Sequence, residues 1–251
     1  MPDPADLLFD PTPPMVPGVR LVRETFDDVV DAVCADLFLQ AGGCVQTFGD
    51  VHIAIEPSPR ALGVVMRLMV DPLYRSLPWD RAHVWLTSDG PHPPGDERSG
   101  FAELAGYIGE HAGIPAGQLH AIPIGEGKPD EVYETELRRC LSHREPGHAR
   151  LDFVLAELDA RANVAGIVTK DADERALTAR DGGRVSLNLT ALNSARCVAV
   201  LASGASAMDP LAKVVAGDGV GAAIAPIAGE LRWYLDHAAC TGTNAGDNPP
   251  E

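Results

Sequence analysis

What most constrains this chain is a rhythm. Short apolar runs recur along it, and most give way to a polar turn and then a helix-patterned stretch. The clearest runs are Val51–Ile55, Ala82–Leu86, Leu151–Ala156 and Cys197–Ala202. Apolar on both faces, such runs belong in a parallel sheet covered by helices. Their alternation with helical segments predicts βαβ units, hence an α/β fold around a mostly parallel sheet. A chain of 251 residues can bury one such core. The expected organisation is a Pro-rich irregular arm over residues 1–18, a single domain over 19–240 and a polar tail over 241–251.

Other elements follow from caps and periodicity. Val19–Val22 is a strand candidate. Thr25 caps a helix from Phe26 to about Gln40, which Gly42-Gly43 ends. Pro59 suits the start of a helix running to Val70, and Glu131–Leu141 carries a thin apolar stripe on a charged helix. Leu119–Ile122 and Ala165–Val168 are short strand candidates, and Arg184–Leu189 alternates like a half-buried strand. Near the end, Ala207–Val215 reads as a helix, Ile224–Pro226 as a last strand and Gly229–Ala239 as the final helix.

Charge narrows the partners. A net charge of −16 argues against nucleic acid and anionic membrane surfaces, and an anionic ligand would need a local basic pocket. The five cysteines are dispersed and odd in number, which suggests reduced thiols. No two have metal-ligand spacing, and His143 and His148 form no ligand pattern with any of them, so no metal is expected. No signal-peptide pattern and no membrane-length apolar run are present, so the expected location is the cytoplasm. Gly125-Glu-Gly127-Lys is too short for a phosphate loop, and no cofactor is expected.

The loop after Leu86 is the first place to look for a site, because ligands in open α/β sheets sit outside the carboxyl ends of strands. It carries Asp89, His92, Arg98 and Ser99, the last a candidate N-cap for a helix from Phe101. Asp89 is either a catalytic carboxylate or a loop cap. His92 is either a base or an exposed loop residue. Arg98 is either an anion clamp or solvated. Arg60 could meet an anion at a helix N-terminus, and Arg184 either binds a ligand or pairs with Asp152 or Asp181.

Several stretches together resemble the 6-phosphogluconolactonase family, with glucosamine-6-phosphate deaminases as more distant relatives. They are Trp79-Asp80 with Val84–Asp89, Pro94 with Asp96–Ser99, Leu151–Leu155, Arg184–Asn193, Val200–Gly204 and Trp233–Ala239, in the family's order and spacing. The resemblance covers roughly Val19 to Ala239 and implies a three-layer, Rossmann-like sheet. It also implies a sugar-phosphate lactone as substrate, with Ser99 beside the arginines in the binding set.

The chain departs from the family where chemistry is done. The family's glycine-rich phosphate loop is here Ile55-Glu-Pro-Ser-Pro59, with two prolines that lack N–H donors. Its Asp-Glu-Arg is here Ser88-Asp-Gly90, and Gly204–Ala207 holds no lysine. The segment expected to carry the catalytic histidine reads Leu158-Asp-Ala-Arg-Ala-Asn163. The expectation is a catalytically degenerate member that binds a sugar phosphate or related anion, with a protein partner left open. The alternative is a working lactonase in which His92 or Asp89 serves as base.

Overall fold

The apolar runs become strands. In the computed structural model, which describes residues 11–108, 112–167 and 175–240, seven of them form one parallel sheet. These are β1 (Val19–Arg23), β2 (Val51–Ile55), β3 (Ala82–Leu86), β5 (Leu119–His120), β6 (Phe153–Glu157), β9 (Cys197–Ala202) and β10 (Glu230–Asp236). Their order across the sheet is β1-β10-β9-β6-β2-β3-β5. Every residue of β2 and β9 is buried, including the polar His52 of β2. A second, antiparallel sheet joins β4 (Ser88–Asp89), β8 (Arg184–Leu187) and β7 (Thr178–Asp181).

Helices flank the main sheet: α1 (Phe26–Phe48), α2 (Pro59–Val70), α3 (Gly100–Ile108), α4 (Pro129–Leu141), and the shorter α5 (Leu189–Ser194), α6 (Met208–Val215) and α7 (His237–Cys240). Thr25 and Asp28 close a capping box at the start of α1, each side chain bound to the other's backbone N–H. Ser58 caps α2, with Pro59 in its first turn. Among the described residues no helix is long and apolar enough to cross a membrane.

The structure corrects four local expectations. Helix α1 runs through Gly42-Gly43 to Phe48, because Ala41 and Cys44 carry its buried stripe onward. It ends at Gly49, which adopts φ 89° and donates to the Val45 carbonyl. Ala165 and Gly166 form a turn rather than a strand; both have positive φ. Val168 lies outside the described residues. Ile224–Pro226, expected as a last strand, belongs to no strand and instead leads irregularly into β10.

The largest correction is β10. The segment expected as a final helix is a strand between β1 and β9, paired in parallel with both. Trp233 and Tyr234 suit a pleated, buried surface better than a helix. Trp233 donates from Nε1 to the Pro17 carbonyl at 2.7 Å. Tyr234 and Arg232 both reach Asp36 on α1, at 2.6 and 2.7 Å. Pro17 is thereby bound to the sheet, and Val16 beside it is buried.

The amino ends of the central strands meet at an ionic cluster. Arg144, with a side chain 1 % exposed, donates in a fork to Asp152 at 2.9 and 2.8 Å, and to Asp50 at 2.6 Å. Asp152 also accepts from the backbone of His52 at 2.8 Å and from Arg196 at 3.3 Å. Phe48 lies under both guanidinium groups. Asp152 therefore pairs with Arg144 and Arg196, and not with Arg184. Removing one member strands a buried charge, so Arg144→Ala should lower unfolding free energy by about 3–5 kcal/mol in urea titrations. A loss below about 1 kcal/mol would show that water or Arg196 replaces it fully.

Candidate active site

The chain order places the site before any side chain does. From β2 the sheet grows through β3 to β5 on one side, and through β6, β9 and β10 on the other. The crevice of such a sheet opens at the carboxyl ends of the two strands where the direction reverses. Here those strands are β2 and β6, and the residues at their ends are Glu56 and Glu157.

Glu56 turns back over the sheet. Its Oε2 accepts the backbone N–H of Glu157 at 2.8 Å, while its own N–H donates to Leu155 at 2.9 Å. Burial of the carboxyl pushes its pKa up to about 7; Glu157 adds to this, and the N–H groups of Glu157 and Ala165 and the charge of Arg184 oppose it. Glu157 itself is taken by Arg60, which stands in the first turn of α2 and also donates to the Ser203 carbonyl at 3.3 Å.

Arg184 opens β8 at the rim of the same region. It is exposed and makes no ion pair with another described residue, although Asp181 faces it across the hairpin. With Gly166, Ile167, Ser186 and Asn188 it lines a small recess. Gly166, at φ 70°, is pressed against Ser88: a Cβ there would stand 2.1 Å from the Ser88 hydroxyl. That hydroxyl and the neighbouring Thr87 hydroxyl are buried without a hydrogen-bond partner among the described residues.

The loop that follows β6 is shaped by its own acid. Asp159 accepts from the backbone of Arg161 at 2.8 Å and of Asn163 at 2.7 Å. Ala162 within it adopts φ 62°, a left-handed conformation that favours glycine. Asn163 occupies the stretch where the resemblance would put a base, and its amide donates to Asp159 at 3.4 Å. Asp236 is also spent on structure, accepting from Gly204 at 2.9 Å, Ala239 at 2.9 Å and the Ser203 hydroxyl.

The side chains singled out in the sequence divide into two groups. Arg60 and Arg184 come to the strand ends. Asp89 is 4 % exposed, and its oxygens accept from Gly90, Gly100 and Phe101 at 2.8, 3.0 and 3.1 Å, capping α3. Ser99 is buried and accepts from Ala102 at 3.0 Å, the N-cap bond its position predicts. Arg98 is exposed and forks onto Asp96 at 2.9 and 2.7 Å, a hydrogen-bonded pair that holds the Asp96 carboxyl far below the usual carboxylate range. His92, on the same loop, lies 3.9 Å from Asp96.

Glu56 was not singled out in the sequence except as part of the segment that stands in place of the family's phosphate loop. Only the closeness of β6 shows that its carboxyl is buried. The arrangement offers a carboxyl that changes charge near neutrality, a guanidinium tied to a carboxylate, and a guanidinium with no ion pair among the described residues. Such a set can hold an anion and move a proton.

A family model described as glucosamine-6-phosphate isomerases/6-phosphogluconolactonase matches residues 24–233. The chain is 22 % identical over 241 residues to the GDH/6PGL endoplasmic bifunctional protein of Oryctolagus cuniculus, covering 86 % of this chain but only 29 % of that relative. It is 24 % identical over 215 residues to the 6-phosphogluconolactonase of Haemophilus influenzae, covering 75 % of this chain and 86 % of the relative. The crystal structure of 6-phosphogluconolactonase from Thermotoga maritima superposes with a TM-score of 0.73 at 20 % identity, over 87 % of this chain and 99 % of that one.

Two outcomes follow from these placements. If Asp89 is a cap, Asp89→Ala should cost about 1–2 kcal/mol in chemical unfolding, and Asp89→Asn distinctly less. For Glu56 the folded pKa of about 7 lies above its ordinary 4.5, so its contribution to stability is complete below 4.5 and is lost as pH rises through about 7. Glu56→Gln should therefore gain stability relative to the parent above pH 7 and show no such gain below 4.5. A pH-independent difference between the two would rule that out.

Proposed function

Because the chain belongs to the glucosamine-6-phosphate isomerase/6-phosphogluconolactonase family, we propose that it binds a small anionic sugar derivative of the sugar-phosphate class at the carboxyl ends of β2 and β6, without the hydrolytic turnover of a lactonase. The observation that carries the binding half is Arg184, an exposed guanidinium with no ion pair among the described residues, beside the recess at Gly166. In a chain of net charge −16, a cation left unpaired at a strand-end crevice is the natural contact for an anion. A charge-assisted hydrogen bond there is worth about 1.5–3 kcal/mol.

The other half rests on how the nearby groups are engaged. Lactone hydrolysis needs a base to take a proton from water, typically worth about 10²–10⁴ in rate. Asp89 has both oxygens filled by backbone N–H groups, and Asn163 has no basic nitrogen. Arg60 spends its charge on Glu157. His92 and Arg98 gather around Asp96 on the loop surface. Within this reading the binding residue is Arg184, with Arg60 held by Glu157 and with Ser99 and Arg98 serving the loop.

One observation favours a second reading, in which the chain is an active sugar-phosphate lactonase. Glu56 sits at the switch point with a pKa near 7, the range in which a carboxylate works as a general base. A single set of measurements separates the two: hydrolysis of 6-phosphogluconolactone against its spontaneous rate, and calorimetric binding of 6-phosphogluconate. We expect hydrolysis at the spontaneous rate, and binding that Arg184→Ala weakens by roughly tenfold or more. Catalysed hydrolysis that rises through pH 7 and falls about 10²–10⁴-fold in Glu56→Gln would establish the second reading instead. The absence of both binding and hydrolysis would defeat the two together.

A further inference from the structure

At the amino end of the sheet, far along the strands from Glu56, three histidines line up on one face. His52 on β2 and His83 on β3 are register partners, and His120 on β5 is the register partner of Trp85. His83 and His120 are thus diagonal neighbours, close enough for side chains to meet. Their rings do meet: His83 Nδ1 lies 2.9 Å from His120 Nε2. Both rings are clamped. Trp85 stacks on His120 with centroids 3.6 Å apart, and His52 stacks on His83 at 4.6 Å.

A third donor comes from the last turn of α4. Ligand atoms of His83, His120 and Cys140 all lie within 4.8 Å of one another, although the residues are separated by 37 positions in one interval and 20 in the next (120 − 83 and 140 − 120). His83 and Cys140 are partly exposed, so the cluster is open to solvent. A carboxylate stands behind it: Glu136 Oε1 accepts from Cys140 Sγ at 3.5 Å and lies 3.8 Å from His120 Nδ1. Arg139 in turn grips Glu136 at 2.7 and 2.6 Å.

We propose that His83, His120 and Cys140 form a binding site for a zinc-class divalent cation, with Glu136 as the carboxylate that orients His120. Two imidazoles and a thiolate are the donors Zn²⁺ takes at about 2.0–2.3 Å, and they discriminate against Mg²⁺ and Ca²⁺, which prefer oxygen. Tetrahedral coordination at those bond lengths sets the two ring nitrogens about 3.3 Å apart. The 2.9 Å contact need open only slightly for the ion to replace the proton the rings share. The balance is simple. The shared proton moves to the outer nitrogen of its own ring. The Cys140 S–H bond breaks as the metal–sulfur bond forms, and its proton leaves by way of Glu136 to solvent. A carboxylate behind a ligating histidine is the usual companion of such a site.

This end of the sheet is separate from the strand-end crevice, so the inference stands whatever the outcome at Glu56 and Arg184. The test uses the full chain, stripped of metal, titrated with Co²⁺ and then Zn²⁺. We expect one Co²⁺ per chain with intense tetrahedral d–d bands and a thiolate-to-cobalt charge-transfer band, both erased by Zn²⁺. Cys140→Ser should abolish the charge-transfer band. Glu136→Gln should weaken binding by about tenfold, and His83→Gln by more. In the unmodified chain, Zn²⁺ should protect Cys140 from alkylation, as located by peptide mass mapping, which needs no variant to fold. Absence of stoichiometric Co²⁺ binding, an octahedral spectrum, a charge-transfer band that survives Cys140→Ser, or alkylation of Cys140 unchanged by Zn²⁺ would each overturn the proposal.

Discussion

The fork of Arg144 onto Asp152 is the contact on which the geometry of the sheet depends. It joins the turn after α4 to the start of β6, and Asp152 passes the connection to the backbone of His52 on β2 and to Arg196 before β9. Three neighbouring strands are therefore indexed against one carboxylate. A buried pair of this kind contributes little net stability compared with an apolar filling of the same volume, since desolvation offsets most of the attraction. What it adds is direction. A planar fork meets a carboxylate in one orientation, so a slip of β2 or β6 by a single residue would break several bonds at once.

With the amino ends indexed in this way, the carboxyl ends are free to hold loops of unfavourable shape. The loop after β6 keeps Ala162 and Ala165 at φ 62°, a conformation costing about 1–3 kcal/mol for a residue with a side chain. Asp159 bonds it from within, and Gly221 donates to the Ala162 carbonyl at 2.9 Å. Gly219 leaves the room this approach needs, since a Cβ there would fall 2.4 Å from the same carbonyl oxygen. The backbone shape of a site loop is thus maintained by the acid and the glycines around it, independently of whether position 163 carries a base.

Much of this fold is legible in the sequence, and the failures have physical causes. Cys197–Ala202 and Ala82–Leu86 are found as strands because runs apolar on both faces suit a buried parallel position. β10 escapes because Arg232 and Asp236 interrupt its apolar residues, and the reason those polar groups are tolerated lies elsewhere, in Asp36 and Gly204. α1 overruns Gly42-Gly43 because glycine only weakens a helix whose buried face continues. At the site, Arg60 and Arg184 were visible as cations placed near strand ends. Asp89 was visible as an acid, but only the fold shows that it faces three N–H groups. Glu56 is the reverse case: in the sequence it is one residue of a Pro-rich loop, and its packing makes it a titratable group. The histidine row has no sequence signature at all, since its members share a face through strand pairing rather than spacing.

Glu56 and Arg184 also constrain each other. The positive charge of Arg184 is among the influences that hold the Glu56 pKa down to about 7 against the larger effect of burial. An anion that neutralised Arg184 would remove that influence and leave Glu56 more readily protonated. By linkage the converse holds equally: a protonated Glu56 removes a negative charge from the crevice and favours the anion. The two events reinforce each other on the acid side of neutrality and oppose each other on the alkaline side. Hydrolysis pulls the other way, because a general base must be ionised while the anionic substrate is in place. A crevice that would bind an anion best with Glu56 protonated is better matched to holding that anion than to activating water beside it.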